Sequence, residues 1–281
     1  MQFGLNLMLF SDRIRSDVMD KFAMIREMGF DGVEVPVFDP ASMELDGIRQ
    51  AAQAEGLGLT VSGALPPAAR FYGKEKKARQ AAARYMEATI EAALRLEAGL
   101  ICGPFYKGVG DMDESMPLEA QREEVLDNMS AIMSRAEEAD VRIAFEPLNR
   151  FETNFMNTTA QGIEFCEALQ SPHAGLLLDT FHMHIEEKHS DDAIRKAAQA
   201  KRLFHFHASE NDRGVAGSGQ VNWIDIGEAI KQEGYRGWTV LETFNQANEA
   251  IRTAVSCWRP FYPSEEIFMR EGLAFVQRLI G

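Results

Sequence analysis

Four short apolar runs in the second half of the chain each end on a side chain that can bind a metal: Ile143-Ala-Phe-Glu146, Leu176-Leu-Leu-Asp179, Phe204-His-Phe-His207 and Thr239-Val-Leu-Glu242. The end residues lie 33, 28 and 35 positions apart, about one strand and one helix each, so the four can meet at one rim of a parallel barrel. Side chains alternate across a strand, which puts Ala144 with Glu146, Leu177 with Asp179, His205 with His207 and Val240 with Glu242 on shared faces. One carboxylate after a strand is more often a helix cap or a loop residue, but four such ends at regular intervals resist that explanation. Three carboxylates converging at the ends of apolar strands repel one another and are costly to bury, and a divalent cation relieves both problems. The donor set suits Mn²⁺, Mg²⁺ or Co²⁺ better than a structural zinc, which favours thiolates and more histidine. Such an ion, holding adjacent hydroxyl and carbonyl oxygens, would acidify the proton on the carbon between them. Carboxylates on opposite faces of that carbon could remove the proton and return it.

Strand-length apolar or alternating runs recur near Phe3, Gly32, Leu57, Leu100, Val141, Gly175, Leu203 and Trp238, with helix-like spacing between them. From Ser16 to Met28 the spacing of Val18, Phe22, Ile25 and Met28 predicts one helix, capped by Ser16 and stopped at Gly29. Tyr85 to Leu96 and Val125 to Ala136 read the same way. The alternation predicts an α/β fold, a single (β/α)8 TIM barrel over residues 1–281. A doubly wound open sheet is the competitor, weakened because no GxGxxG follows the first strand; Gly217-Ser-Gly219 reads as a loop. The connections Pro66 to Lys74 and Pro104 to Pro117 follow strand ends and are placed to roof a pocket at the catalytic face. The stretch Ile267 to Leu279 predicts an extra C-terminal helix, either covering the barrel or supporting a dimer.

With 43 acidic against 29 basic residues the formal charge is −14, which counts against nucleic acid and anionic membrane surfaces as partners. The first ten residues lack the basic start and cleavage site of a signal peptide, and no apolar stretch approaches membrane-spanning length, so a cytoplasmic protein is expected. Cys102, Cys166 and Cys257 are widely spaced and odd in number, and read as buried thiols.

The strings Glu146-Pro-Leu-Asn-Arg-Phe-Glu152 and Asp179-Thr-Phe-His-Met-His-Ile-Glu-Glu187, His205-Phe-His207 with Arg213 beyond it, and Glu242-Thr-Phe244 together resemble the ketose 3-epimerases of the xylose isomerase-like barrels. The likeness runs from Glu146 to about Trp258, with a weaker trace in Gly32-Val-Glu-Val-Pro36. It implies Glu146, Asp179, His207 and Glu242 as metal ligands, with Mn²⁺ the expected ion and Mg²⁺ or Co²⁺ as alternatives. It also implies Glu146 and Glu242 as the acid and base that work on C3 of a small-molecule sugar through a cis-enediolate. Glu152, His182 and Arg213 match positions that hold the sugar oxygens near O1 to O3, and a fixed Arg213 would favour charge developing there.

His205, one layer below His207 on the same face, is expected to support the site or the core, while His173, His184 and His189 read as surface residues. Asn6-Leu-Met8, Ser62-Gly-Ala64 and Gly103-Pro-Phe105 depart from the tagatose and psicose enzymes, which leaves the substrate open. Rival readings on the same metal set are an aldose-ketose or hydroxypyruvate-type isomerase and an inosose dehydratase. A noncatalytic sugar-binding barrel is a third, and it leaves both glutamates unexplained. A DNA-cleaving relative would need more histidines and a basic groove. A homodimer or homotetramer is expected.

Overall fold

The structure is a computed structural model that describes residues 1–281, the side chain of Ala250 excepted. Eight parallel strands form a closed barrel in sequence order: β1 (Gln2–Asn6), β2 (Gly32–Pro36), β3 (Gly58–Ser62), β4 (Leu100–Gly103), β5 (Arg142–Phe145), β6 (Ala174–Asp179), β7 (Leu203–Ala208) and β8 (Trp238–Leu241). Closure is direct, with Gly4 of β1 opposite Gly32 of β2 on one side and Val240 of β8 on the other. The strands are apolar because they are covered on both faces, as parallel sheets require. In β6, Leu176 and Leu178 pack outward in the main core, whereas Leu177 joins Leu100, Cys102 and Ala144 inside the barrel.

The helices are α1 (Ser16–Met19), α2 (Phe22–Glu27), α3 (Leu45–Ala54), α4 (Lys76–Leu96), α5 (Leu118–Glu138), α6 (Thr159–Ala168), α7 (Thr180–Glu186), α8 (Ser190–Gln199), α9 (Trp223–Gln232), α10 (Glu249–Ala254) and α11 (Glu265–Ile280). The single helix expected from Ser16 to Met28 is therefore two, and Ser16 is the first helical residue of α1 instead of its cap. Val18, Phe22 and Ile25 are nevertheless buried as the spacing requires. The interruption falls at Asp20 and Lys21, where no apolar side chain enters the core; Lys21 Nζ lies 5.0 Å from the Phe10 ring centroid. Gly29 does end the segment, with φ of 100°. Helices α4 and α5 extend beyond the periodic stretches because their additional turns are mostly polar and carry little of the apolar stripe. α11 covers the barrel wall against α9, β1 and β8, burying Phe268, Leu273 and Val276. All three cysteines are buried and free. No helix among the described residues is long and apolar enough to cross a membrane.

At Gly103, the last residue of β4, φ is 140° and a Cβ would lie 1.9 Å from the Gly63 carbonyl oxygen, so both backbone conformation and space require glycine. This close approach sets the mouth of the barrel beside β3. Gly103→Ala is expected to destabilise the protein by about 2 kcal/mol or more. An unchanged urea midpoint would refute that close-packing account.

Candidate metal centre

Glu146 and Glu242 immediately follow β5 and β8, Asp179 is the last residue of β6, and His207 lies near the end of β7. Register explains part of the convergence: Asp179 pairs with His207 across β6 and β7, and His207 pairs with Val240 of β8. One donor atom from each of the four lies within 4.8 Å of the others, and all four residues are buried. His207 Nδ1 is 3.2 Å from Glu242 Oε1 and 3.9 Å from Asp179 Oδ2, yet both ring nitrogens are buried without an aligned hydrogen-bond partner. A buried imidazole left in that condition beside three carboxylates fits a divalent cation.

A second cluster, Glu34, Cys102, His205 and His207, is equally compact. Its carboxylate is already satisfied: Glu34 Oε2 accepts from Thr60 Oγ1 at 2.9 Å, Cys102 Sγ at 3.3 Å and His205 Nε2 at 2.7 Å. The first set has no such network around His207 and so is the better suited of the two to a cation. His205, expected to support the site or the core, is fully buried with Nε2 against Glu34.

Arg213 reaches the cluster from the loop after β7. Its Nη1 donates to Asp179 Oδ2 at 2.6 Å, Glu242 Oε2 at 2.8 Å and Ser209 Oγ at 3.0 Å. The guanidinium carbon stands 3.9 Å from the Phe181 ring centroid, and the backbone adopts φ of 64°, a strained value for arginine. Thr243 Oγ1 donates to the Arg213 carbonyl at 2.7 Å. Nearby, buried Glu210 gathers the N–H groups of Gly217 and Val221 and the indole N–H of Trp223, which fixes the loop around Arg213.

His182 lies in α7, turned over the cluster from just beyond Asp179. Its Nδ1 accepts the Asn149 N–H at 3.0 Å, and its Nε2 lies 3.2 Å from Arg213 Nη2 and 3.6 Å from Glu146 Oε1. Burial, with Arg213 beside it, pushes its pKa down to about 3. Glu152 accepts from Asn149 Nδ2 at 2.8 Å, and burial raises its pKa. Burial and then the charges of Glu242 and Asp179 hold the Glu146 carboxyl well above the usual range. Burial also works against ionised Glu242, but His207 and Arg213 outweigh it and hold that carboxyl low.

These groups open onto a cavity of about 480 Å³. Both expected roof segments contribute, Pro66 and Pro67 from one and Pro104 and Val109 from the other. Gly110 N–H donates to the Glu152 carbonyl at 2.7 Å and ties the second roof to the site. His184 and His189 are exposed as expected, whereas His173 is half-buried with Nε2 3.2 Å from Asp140. The sequence reading missed Glu34 and Asn6. Glu34 carried a signal, a carboxylate in the middle of an apolar strand; Asn6 carried only its place at the end of β1.

Fold and site together define an eight-stranded α/β barrel with a divalent-cation donor set at the rim where such barrels carry their chemistry. The xylose isomerase-like TIM barrel family matches residues 22–261. A D-psicose 3-epimerase of Agrobacterium fabrum is 30% identical over 92% of this chain and 91% of its own. A probable ketose 3-epimerase of Synechocystis sp. is 28% identical over 99% and 96% respectively. A solved L-ribulose 3-epimerase superposes with a TM-score of 0.93 at 26% identity, covering 99% of this chain and 94% of that one. The chain belongs to the xylose isomerase-like TIM barrels and, within them, to the ketose 3-epimerases, enzymes of the isomerase class.

Mn²⁺ at about 100 times its dissociation constant is expected to stabilise the folded protein by about 2.7 kcal/mol. For a chain of this size that is a rise of roughly 5–10 °C in melting temperature. EDTA should reverse it, and Asp179→Asn should largely remove it; an equal rise in that variant would place the ion elsewhere.

Proposed function

We propose that this protein inverts C3 of an unphosphorylated ketose of the D-tagatose, D-psicose or L-ribulose type, within a single domain of residues 1–281. The observation that carries the reading is the pair Glu146 and Glu242. They enter one cluster from β5 and β8, strands separated by β6 and β7 around the barrel, and so approach from well-separated directions.

In this reading Glu146, Asp179, His207 and Glu242 hold a divalent cation, Mn²⁺ foremost, with Mg²⁺ and Co²⁺ also suited to the donors. When bound, the cation supplies Lewis acidity that makes the C3 proton of an adjacent ketose easier to remove. Glu146 and Glu242 take the proton from one face of C3 and return one to the other, through a cis-enediolate. Without the cation, burial and the neighbouring carboxylates raise the Glu146 pKa, while His207 and Arg213 hold that of Glu242 low. Arg213, His182 and Glu152 hold the oxygens near O1 to O3, Arg213 as a fixed cation and His182 as a neutral ring.

The far side of the cavity is lined by Phe38, Leu65, Pro66, Pro67, Val109 and Val255, and Arg213 is the only lysine or arginine among the described lining residues. Such a wall offers a phosphate no partner, which supports a free sugar. A cytoplasmic location and assembly as a homodimer or homotetramer complete the proposal. The acidic charge of −14 accords with a soluble enzyme, and Phe151 and Trp258 are large apolar side chains left exposed at 75% and 69%.

Incubation with Mn²⁺ and D-fructose, D-tagatose, D-psicose or L-ribulose in D₂O should place deuterium at C3 of at least one sugar and yield its C3 epimer. Label only at C1 or C2 would transfer the assignment to an aldose-ketose isomerase. Glu242→Gln and Glu146→Gln should each cut turnover by about 10³-fold while leaving the circular dichroism spectrum unchanged. Wild-type turnover in either variant would remove that glutamate from the proton path.

A further inference from the structure

The two glutamates differ in how they are held. Glu146 makes no side-chain hydrogen bond among the described residues; His182 Nε2 stands 3.6 Å from its Oε1. Glu242 is gripped at both oxygens: Arg213 Nη1 takes Oε2 at 2.8 Å and Asn6 Nδ2 takes Oε1 at 3.0 Å. The second grip belongs to a chain of contacts. The other N–H of Asn6 Nδ2 donates to Glu34 Oε1 at 3.0 Å, and Asn6 Oδ1 accepts the Met8 N–H at 2.9 Å. That last bond fixes which end of the amide is oxygen, so both amide protons are committed to the two carboxylates.

Glu34 cannot give way. It is fully buried, and Thr60, Cys102 and His205 donate to its other oxygen from three different strands. A carboxylate inside a barrel, where an aliphatic side chain would fill the space, is costly unless the charge is used. Here it is an anchor for Asn6. Glu34 Oε1 also lies 2.8 Å from His207 Nε2, off the N–H axis of that ring, so the inference rests on the aligned Asn6 bonds alone.

We propose that Asn6, anchored on Glu34, is a positioning residue that fixes the orientation of Glu242. The proposal rests on the reading of Glu242 as metal ligand and proton carrier. It assigns a role to the first strand.

The test is Asn6→Ala with Asn6→Ser beside it, because serine keeps one short donor. Three quantities are read at a temperature where circular dichroism shows each variant folded: Mn²⁺ affinity by electron paramagnetic resonance, kcat and KM for C3 inversion, and the melting temperature of the metal-free protein. Asn6→Ala should lower kcat by about 10–100-fold with KM within about threefold, and weaken Mn²⁺ binding by about tenfold. Asn6→Ser should fall between it and the wild type. Wild-type kcat and Mn²⁺ affinity in folded Asn6→Ala would overturn the proposal, as would losses explained by a smaller folded fraction or failure of both variants to fold. If the wild type exchanges no ketose proton, the sugar reading fails, while the Mn²⁺ titration still decides whether Asn6 holds Glu242.

Discussion

Four carboxylates, those of Glu34, Glu146, Asp179 and Glu242, are buried within one barrel mouth, and their mutual repulsion is the constraint that the surrounding structure answers. Each would be expensive to bury alone, and together they cannot all be ionised without compensating charge. The compensation is divided by depth. Glu34, lowest, is held by hydrogen bonds from Asn6, Thr60, Cys102 and His205, and the two histidines hold its pKa down against full burial. At the rim, Arg213 lies against Asp179 and Glu242, and the imidazole of His207 faces the same group. Glu146 has the least protein compensation, which is why burial and its acidic neighbours raise its pKa.

That electrostatic problem accounts for the shape of the loops. Arg213 reaches two strand ends from a left-handed backbone position, a strain of about 1–3 kcal/mol that isolated arginine would relax. The bonds from Thr243 to its carbonyl and the loop built on Glu210 hold it there. Phe181 and Phe244 flank the guanidinium and keep water from its face, which strengthens its attraction to the carboxylates. The rim is therefore preorganised, with the Arg213 guanidinium held against Asp179 and Glu242.

Much of this was legible in the chain. β5 to β8 each announce themselves as an apolar run ending on a polar side chain, and a closed barrel turns their regular intervals into a cluster. His205 was readable from strand alternation. The Asn6 bond to Glu242 was not, because it joins positions 236 residues apart and exists only once β1 pairs with β8 to close the barrel. Glu34 was visible as a charge in an apolar strand, but its partners come from β1, β3, β4 and β7, and no local pattern lists them. The break between α1 and α2 was hidden for the opposite reason: the apolar spacing continues through it, so periodicity alone reports one helix.

The two halves of the barrel thus carry different kinds of information. β5 to β8 and their loops supply most of the charged groups, and their geometry is fixed by bonds among those groups. Loops after β2 to β4 supply Phe38, Leu65, Pro66, Pro67 and Val109, which make apolar contact and impose shape without directed bonds. The proposed proton transfer at C3 demands placement within a fraction of an ångström, whereas discrimination at the distal carbons by an apolar wall is shallow, about 1–3 kcal/mol per methylene-sized difference. A site built this way is strict about the carbon it acts on and tolerant about the rest of the sugar. Asn6 and Glu34 are the exception that joins the halves: they lie in the first two strands, yet their bonds terminate on Glu242, so the orientation of a rim glutamate depends on strands that otherwise shape only the pocket.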